Sequence, residues 1–275
     1  MMEVNKNQPD LLVQAFAHAA ERRSVTSIEN FIDAILWERP DLRKKIAKGK
    51  ASVEREESAN SAYVVFIGDE VFKAPKLKRD MEASASGDEY ETVKKVNRNI
   101  IIAFEKEVEA LQGLKGSSRL IPKVTYIGKG TLFFAMSRKP GVTYESLTAI
   151  TPLTTEQKRT LARDLIDFII HMALALPMEN GRYAKHSDLH RRNILLDPKT
   201  KKLTAVIDFG RIFYFSRDKL GHVGIDEVIT KMGEEEFARR KSDIPNPKQV
   251  KAKSLDASAN YAKVAGSQKP FGGMQ

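Results

Sequence analysis

Three oxygen-bearing side chains, Asp188, Asn193 and Asp208, stand beside two short apolar runs. Asp188 and Asn193 belong to the polar segment HSDLHRRN, and the apolar residues 194–196 follow it at once. A second apolar run, 203–207, leads directly into Asp208. Two such strands joined by a polar turn would bring the three side chains to one end of a β-hairpin.

Oxygen atoms of these types suit a hard cation. Mg²⁺ keeps several waters and binds through one or two protein groups together with substrate phosphates. Asn193 and Asp208 fit that role. Asp188 would then be left to orient and deprotonate a hydroxyl nucleophile. The pattern therefore predicts a magnesium site beside a general base.

The same residues carry a family resemblance. The spacing His-x-Asp-Leu-x-x-x-x-Asn, which begins at His186, is followed by Asp-Phe-Gly at 208–210. This resembles the catalytic segment of the protein-kinase-like superfamily, including its aminoglycoside-type, RIO-type and lipopolysaccharide kinases. The resemblance implies an α+β, two-lobed fold, with a small β-rich N-lobe carrying one helix and a larger, mainly helical C-lobe. It also implies ATP and Mg²⁺ as cofactors, and a role for His186 in orienting the Asp-Phe-Gly backbone.

A lysine of the small lobe is the next expected part. Residues 63–67 and 71–74 flank Gly68-Asp69 and predict a hairpin that carries Lys73. Lys76 is the competing candidate, but Pro75 ends the strand before it. By the resemblance, Lys73 would hold the α- and β-phosphates and pair with a glutamate of the following helix.

That helix is expected over residues 100–114. On a helical projection Glu107 lies about 60° from the centre of the apolar stripe. Glu105 and Glu109 lie about 90° or more away from it and should face water. Glu107 is therefore the predicted partner of Lys73.

Two further segments are expected to bind the nucleotide. The small residues of ESANSA, 57–62, stand where a kinase has its glycine-rich loop and would let backbone N–H groups approach phosphates, although an ordinary turn would look the same. Predicted strands at 124–127 and 132–136 lead into FFAMSRKPG, which resembles the hinge between kinase lobes, with Met136 as gatekeeper. The predicted nucleotide-binding residues besides Lys73 are Ser58, Ala59, Asn60, Ser61, Met136, Ser137 and Arg138.

Helices are expected on either side of these elements. At the N-terminus we expect a helix from Pro9, a second one opened by a Thr26–Glu29 capping box, and a third from Pro40. A helical cap on the small lobe is favoured over a winged-helix-like or partner-binding extension. Residues 77–99 predict a mobile insertion. In the large lobe, long helices are expected from Thr154 or Thr155 to about 174 and over 225–241. The predicted organisation is an N-terminal helical extension (1–46), the N-lobe (47–139), the C-lobe (140–241) and a basic flexible tail (242–275).

Composition bounds the partners. The chain has 275 residues, a net charge of +10 and no cysteine. The missing cysteines exclude disulfides, thiolate catalysis and cysteine-ligated zinc. The positive charge favours acidic partners such as ATP or an acidic protein and disfavours a polycationic acceptor such as an aminoglycoside; nucleic-acid binding is compatible with it but is not predicted. No apolar run is long enough to span a membrane and no signal peptide is evident, so a cytoplasmic location is expected.

The predicted activity is Mg-ATP-dependent transfer of the γ-phosphate to a hydroxyl. An atypical serine/threonine protein kinase is favoured, because of the basic surface and the RIO-like loop. The alternatives are a small-molecule or sugar/lipid hydroxyl kinase, favoured by His190 and by Ser187 in place of the arginine that clamps a phosphorylated activation segment, and a non-catalytic nucleotide-binding module. Nucleotidyl transfer would use the same residues. The acceptor is thus a protein or a small hydroxylated molecule, and the latter would need a deep pocket lined by residues 211–241.

Overall fold

A five-stranded antiparallel sheet and a mainly helical lobe make up the chain in the computed structural model, which describes residues 24–56, 62–78, 87–116 and 118–246. The sheet and one long helix form the small lobe, and the residues from 142 onward form the large lobe. This is the two-lobed α+β architecture predicted from the sequence. The numerical domain boundaries stay predictions.

The small-lobe sheet has the strand order β1-β2-β3-β5-β4. Its strands are β1 (Val53–Glu56), β2 (Ala62–Ile67), β3 (Glu70–Pro75), β4 (Val124–Ile127) and β5 (Phe134–Ser137). The hairpin of β2 and β3 is the predicted one, and β5 begins two residues later than expected. Because successive side chains of a strand point to opposite faces, Phe72 packs behind the sheet while Val71 and Lys73 face the cleft between the lobes.

Two helices cover the back of the sheet. They are α1 (Ile28–Glu38) and α2 (Pro40–Ala47). Phe31 and Ile35 are fully buried in one apolar cluster with Phe72 of the sheet and Phe133, which directly precedes β5. The described part of the extension is therefore the helical cap on the small lobe that the sequence favoured. The helix expected from Pro9 lies outside the described residues.

The start of α1 differs from the predicted capping box. Ser27 is the N-cap, and its hydroxyl accepts a hydrogen bond from the Asn30 N–H at 3.1 Å. Thr26 instead accepts the side-chain amide of Asn30 at 2.8 Å. Since serine and threonine are nearly equal N-caps, local propensity could not decide between the two neighbouring hydroxyls.

Glu38, the last residue of α1, ties this helix to the connection between β4 and β5. Its two carboxylate oxygens accept hydrogen bonds from the backbone N–H groups of Lys129, Gly130 and Thr131 at 2.6, 3.1 and 2.9 Å. The Tyr126 hydroxyl adds a fourth donor at 3.1 Å. One side chain thus satisfies a whole turn of backbone donors.

The helix α3 (Gly87–Gly113) crosses the cleft face of the sheet. It begins 13 residues before the predicted start at 100, so the expected insertion is largely helical where it is described; residues 79–86 lie outside the described residues. The first half carries few apolar side chains, so the periodicity used to detect a helix was absent there. In the second half, Phe104, Val108 and Leu111 are buried as predicted.

The large lobe is built on α5. Its helices are α4 (Tyr144–Ile150), α5 (Thr155–Ala175) and α6 (Glu227–Arg240), and its strands are β6 (Val142–Thr143), β7 (Tyr183–His186), β8 (Ile194–Leu196), β9 (Leu203–Val206) and β10 (Ile212–Phe215). A capping box of Thr154 and Gln157 opens α5. β8 and β9 form the predicted antiparallel hairpin, and β7 pairs with β10. No helix in the described part of the chain is long and apolar enough to cross a membrane.

Replacing Glu38 tests whether the cap is an integral part of the small lobe. We expect Glu38→Ala to lower the free energy of unfolding by about 1–3 kcal/mol, because backbone donors lose a charged acceptor. Glu38→Gln, which keeps one acceptor oxygen, should lose less. Urea unfolding followed by circular dichroism measures both. The control is Glu29→Ala, which removes an exposed carboxylate in the first turn of α1 that pairs with Arg55 and should cost little stability. Equal losses for Glu38→Ala and Glu29→Ala would contradict the assignment.

Candidate active site

A lysine joins two carboxylates at the centre of the cleft. The Nζ of Lys73 lies 2.6 Å from an oxygen of Glu107 on α3 and 2.7 Å from an oxygen of Asp208, which follows β9. Glu107 is only 2% exposed, although the sequence placed it at the border of the apolar face. The predicted pairing of Lys73 with Glu107 is present in the structure. Lys76, the rejected candidate, instead lies over the ring of Tyr63.

The electrostatics of this cluster favour the charged forms of Lys73 and Asp208, whereas burial raises the pKa of Glu107 above its ordinary value although Lys73 acts to lower it. Burial alone would lower the pKa of Lys73, but the two carboxylates reverse this effect and raise the pKa above its ordinary value. Burial likewise acts to raise the pKa of Asp208, whereas Lys73 lowers it, and the net pKa lies below the ordinary value. Lys73 and Asp208 therefore stay charged at neutral pH.

The backbone around Asp208 is fixed by several contacts. Asp208 has a left-handed backbone conformation with φ of 62°, which is uncommon for a residue other than glycine. Glu107 accepts a hydrogen bond from the Phe209 N–H at 3.1 Å. The Phe209 ring is fully buried, with ring centroids 5.0 Å from His186 and 6.1 Å from Phe168 of α5. Together these contacts hold Asp208 where its carboxylate meets Lys73.

His186 connects the two halves of the site. Its Nε2 lies 3.0 Å from the carbonyl oxygen of Ile207, and its Nδ1 accepts the Asp188 N–H at 3.2 Å. These partners correspond to a neutral ring with the proton on Nε2. Burial lowers the pKa of His186, which agrees with the neutral form. His186 thus contacts the backbone before Asp208, which is the orienting position expected for it.

Asp188 lies in the loop 187–193 that follows β7, with its side chain 24% exposed. The Nε2 of His190 lies 3.8 Å from one carboxylate oxygen and the guanidinium of Arg211 lies 3.8 Å from the other. Asn193 is buried, and its side-chain amide donates to the Asp188 carbonyl at 3.0 Å. The carboxylate of Asp188 can therefore accept a proton from a hydroxyl that comes within hydrogen-bond distance of it.

The geometry also bears on the predicted magnesium ligands. Because the nitrogen of the Asn193 side chain donates to Asp188, its oxygen is left to act as a ligand. The Ile207 N–H donates to the Asn193 carbonyl at 2.9 Å, which places Asn193 beside Asp208. Among the described residues no group of three or more His, Cys, Asp or Glu side chains could hold a metal ion by itself. The pair Asn193 and Asp208 fits Mg²⁺ that arrives with phosphate oxygens.

The remaining predicted nucleotide-binding residues fall into two groups: those whose polar groups already have partners within the small lobe or are buried, and those that lie outside the described residues. Ser58, Ala59, Asn60 and Ser61 belong to the second group. Met136 is buried in β5. The N–H groups of Ser137 and Arg138 donate to the carbonyls of Lys123 at 2.8 Å and Asp69 at 2.7 Å, so they are already used within the small lobe. The guanidinium of Arg138 pairs with Glu54 at 3.0 Å. A role of this hinge in binding adenine stays a prediction.

A cavity lies beside Asp188, partly along the segment 211–241 that a pocket for a small acceptor was expected to use. It has a volume of about 760 Å³ and lies between the loop 187–193, the segment 216–224 that follows β10, and the helix α6. One of its lining residues is Lys185, a buried lysine of β7 that sequence reasoning missed. The sequence offered one signal, a lysine directly before His186; the structure adds that every residue of this strand is buried. Arg211, close to Asp188, was missed as well.

Comparison with known proteins gives partial structural overlaps. No family model matches the chain, and no curated protein matches it. The solved gentamicin complex of APH(2'')-IIa covers 80% of this chain and 87% of its own, at 16% identity and a TM-score of 0.49. ADP-bound aminoglycoside phosphotransferase APH(2'')-Ib covers 83% and 92%, at 15% identity and a TM-score of 0.48. Aminoglycoside phosphotransferase APH(3'')-Id from Streptomyces rimosus covers 79% of this chain and 92% of its own, at 16% identity and a TM-score of 0.48.

Replacing Lys73 should lower the free energy of unfolding, because Glu107 would stay buried without its cationic partner. We expect Lys73→Met to lower the free energy of unfolding by about 3–5 kcal/mol, because Glu107 loses its counter-ion. The double variant Lys73→Met/Glu107→Gln should recover much of this loss, since a neutral amide still accepts the Phe209 N–H. Urea unfolding measures the three free energies.

The matched control is Lys76→Met, which removes a lysine that stacks on Tyr63. It should cost less than about 1 kcal/mol. A loss for Lys73→Met no larger than that of the control would mean that the ion pair is not a central interaction of the site.

Proposed function

We propose that the chain is a Mg-ATP-dependent phosphotransferase that moves the γ-phosphate of ATP to a hydroxyl of a small molecule. The observation that carries this proposal is the juxtaposition of two features. One is the cluster of Lys73, Glu107 and Asp208 with Asn193 beside it, which suits a triphosphate with Mg²⁺. The other is the cavity that opens next to Asp188.

Each residue takes a role that follows from its contacts. Lys73, held by Glu107, would bind the α- and β-phosphates. Asn193 and Asp208 would hold Mg²⁺, which when bound neutralises charge on the phosphates. Asp188 would accept the proton of the acceptor hydroxyl as its oxygen attacks the γ-phosphorus; the bond from that phosphorus to the β–γ bridging oxygen then breaks and ADP leaves.

The cavity supports a small acceptor over a protein. Its volume of about 760 Å³ falls within the range of pockets that bind small molecules. Several of its lining residues lie within 215–241, part of the segment from which a small-molecule acceptor pocket was expected. The sequence favoured a serine/threonine protein kinase because of the basic surface, but that charge describes the whole chain and does not select the acceptor.

Labelled ATP tests the reaction and the acceptor together. Purified protein is incubated with Mg²⁺, ATP labelled at the γ- or the α-phosphate and a panel of hydroxylated small molecules, and products are followed by thin-layer chromatography and on gels. We expect γ-label on a small molecule and none with Asp208→Asn. Transfer of γ-label to protein would instead support a protein kinase, and transfer of α-label would mean nucleotidyl transfer. ATP binding without movement of either label would overturn the proposal.

The role of Asp188 gives a second kinetic expectation. Asp188→Asn should lower kcat by about 100-fold or more, because the hydroxyl loses its general base, while the KM for ATP changes little. The control is Asp33→Asn, which changes an exposed aspartate on α1 far from the cleft. A kcat for Asp188→Asn within a few-fold of the control would remove Asp188 from the mechanism.

A further inference from the structure

The charges that line the cavity are unevenly paired. Three carboxylates line the cavity, and each has a partner: Asp218 pairs with Lys241, Glu234 lies 3.0 Å from Nδ1 of His222, and Asp188 lies 3.8 Å from the Arg211 guanidinium. Lys185 also lines the cavity, and among the described residues it forms no ion pair with a carboxylate. In the described part of the chain Lys185 is thus a cation of the cavity with no carboxylate at ion-pair distance.

Lys185 is also buried, with only 6% of the residue exposed. Its ammonium donates to the carbonyls of His222 and Lys219, the latter at 3.4 Å, and lies 5.3 Å from the ring centroid of Phe215. These partners are uncharged. Burial lowers the pKa of Lys185 to about 8, with Glu234 acting in the opposite direction. At neutral pH the group is a desolvated cation, for which an anion is a strongly favourable partner.

The position of Lys185 links this cation to the chemistry. Lys185 directly precedes His186 in β7, Asp188 lies in the loop that follows, and all three are among the residues that line the cavity. A molecule that presents a hydroxyl to Asp188 would therefore occupy the same space as a group bound to Lys185. The third N–H of the ammonium can serve such a group, because the two carbonyls use only two.

We propose that the cavity binds a small hydroxylated molecule that carries a phosphate or carboxylate group, and that Lys185 binds this anionic group. The inference rests on the proposed function, because the cavity is an acceptor site only if Asp188 serves a hydroxyl there. The acceptor class is then the opposite of a polycation. The rival explanation is that Lys185 only braces the segment 216–222 through its carbonyls.

Matched acceptors separate these explanations. The panel contains hexose, nucleoside and glycerol frames, each as the neutral alcohol, a carboxylate, a phosphate ester and an amine. Transfer of γ-phosphate is measured with Mg-ATP for each member. We expect an anionic member to exceed its neutral and amine counterparts in kcat/KM by about tenfold or more, and the carboxylate and phosphate arms tell which anion is preferred. A preference for neutral or amine members would overturn the inference.

The variant Lys185→Met tests the residue itself. It should raise the KM for the preferred anionic acceptor by about 10- to 100-fold, the effect of losing one charged hydrogen bond, and leave the neutral counterpart within about twofold. Lys185→Arg should retain part of the preference. The control Lys201→Met removes a half-buried lysine outside the cavity that also donates to a backbone carbonyl, that of Pro198, and it should change neither KM. Equal losses for all acceptors would show a brace rather than a binding residue.

The dependence on pH adds a readout that a brace would not give. The affinity for the anionic acceptor should fall as the pH rises through about 8, because Lys185 then loses its proton. Lys185→Arg should lack this fall, since arginine keeps its charge. A decrease that is the same in wild type and Lys185→Arg would assign the titration to another group and overturn the role of Lys185.

A binding measurement separates failure of this inference from failure of the proposed function. Calorimetry uses the full chain with Mg-ADP bound, so that the nucleotide site is filled, and titrates the same panel. Binding of anionic members that Lys185→Met abolishes, without phosphate transfer, would leave the inference standing and refute the proposed function. Transfer to neutral or amine members that Lys185→Met does not affect would do the reverse. Neither binding nor transfer by any anionic member would overturn both.

Discussion

The geometry of the cleft depends on the ion pairs that the ammonium of Lys73 forms with Glu107 and Asp208. This ammonium is the point where a strand of the small sheet, the helix α3 and the large lobe meet, within 2.6–2.7 Å of two carboxylates. A pair as buried as Lys73 and Glu107 contributes little net stability compared with apolar packing, because desolvation offsets the attraction. Its value lies in geometry, since each charge can be accommodated only where the other is present.

From this pair a chain of contacts runs into the large lobe. Glu107 accepts a hydrogen bond from the Phe209 N–H, and the Phe209 ring packs on His186. His186 in turn contacts the Ile207 carbonyl and the Asp188 N–H. Glu107, Phe209 and His186 are all buried, so a shift of one would leave a polar group without its partner. The carboxylates of Asp188 and Asp208 are therefore positioned by contacts among buried neighbouring residues. Such an arrangement is pre-organised for chemistry whose main demand is the placing of charge.

Sequence reasoning succeeded where spacing along the chain determines geometry. Lys73 was separated from Lys76 by a proline, and Glu107 from its neighbours by helical angle, because both decisions depend on residues only a few positions away. It failed where distant segments decide. The polar half of α3 carries no periodic signal, and Ser27 and Thr26 are equivalent as caps until the folded helix selects one. Lys185 looks like any strand lysine until segments after β10 and from α6 close a cavity around it.

The cap formed by α1 and α2 bears on what the smallest stable unit of this chain is. Phe31 and Ile35 share one apolar cluster with Phe72 of the sheet and with Phe133 before β5. Glu38 accepts hydrogen bonds from the backbone of the turn between β4 and β5. A catalytic core defined by nucleotide-binding and acceptor-binding residues alone would begin at β1 and would cut through this cluster. Fragments, fusions and chimaeras should therefore start before Ser27, because the back of the sheet would otherwise be an exposed apolar surface that promotes aggregation.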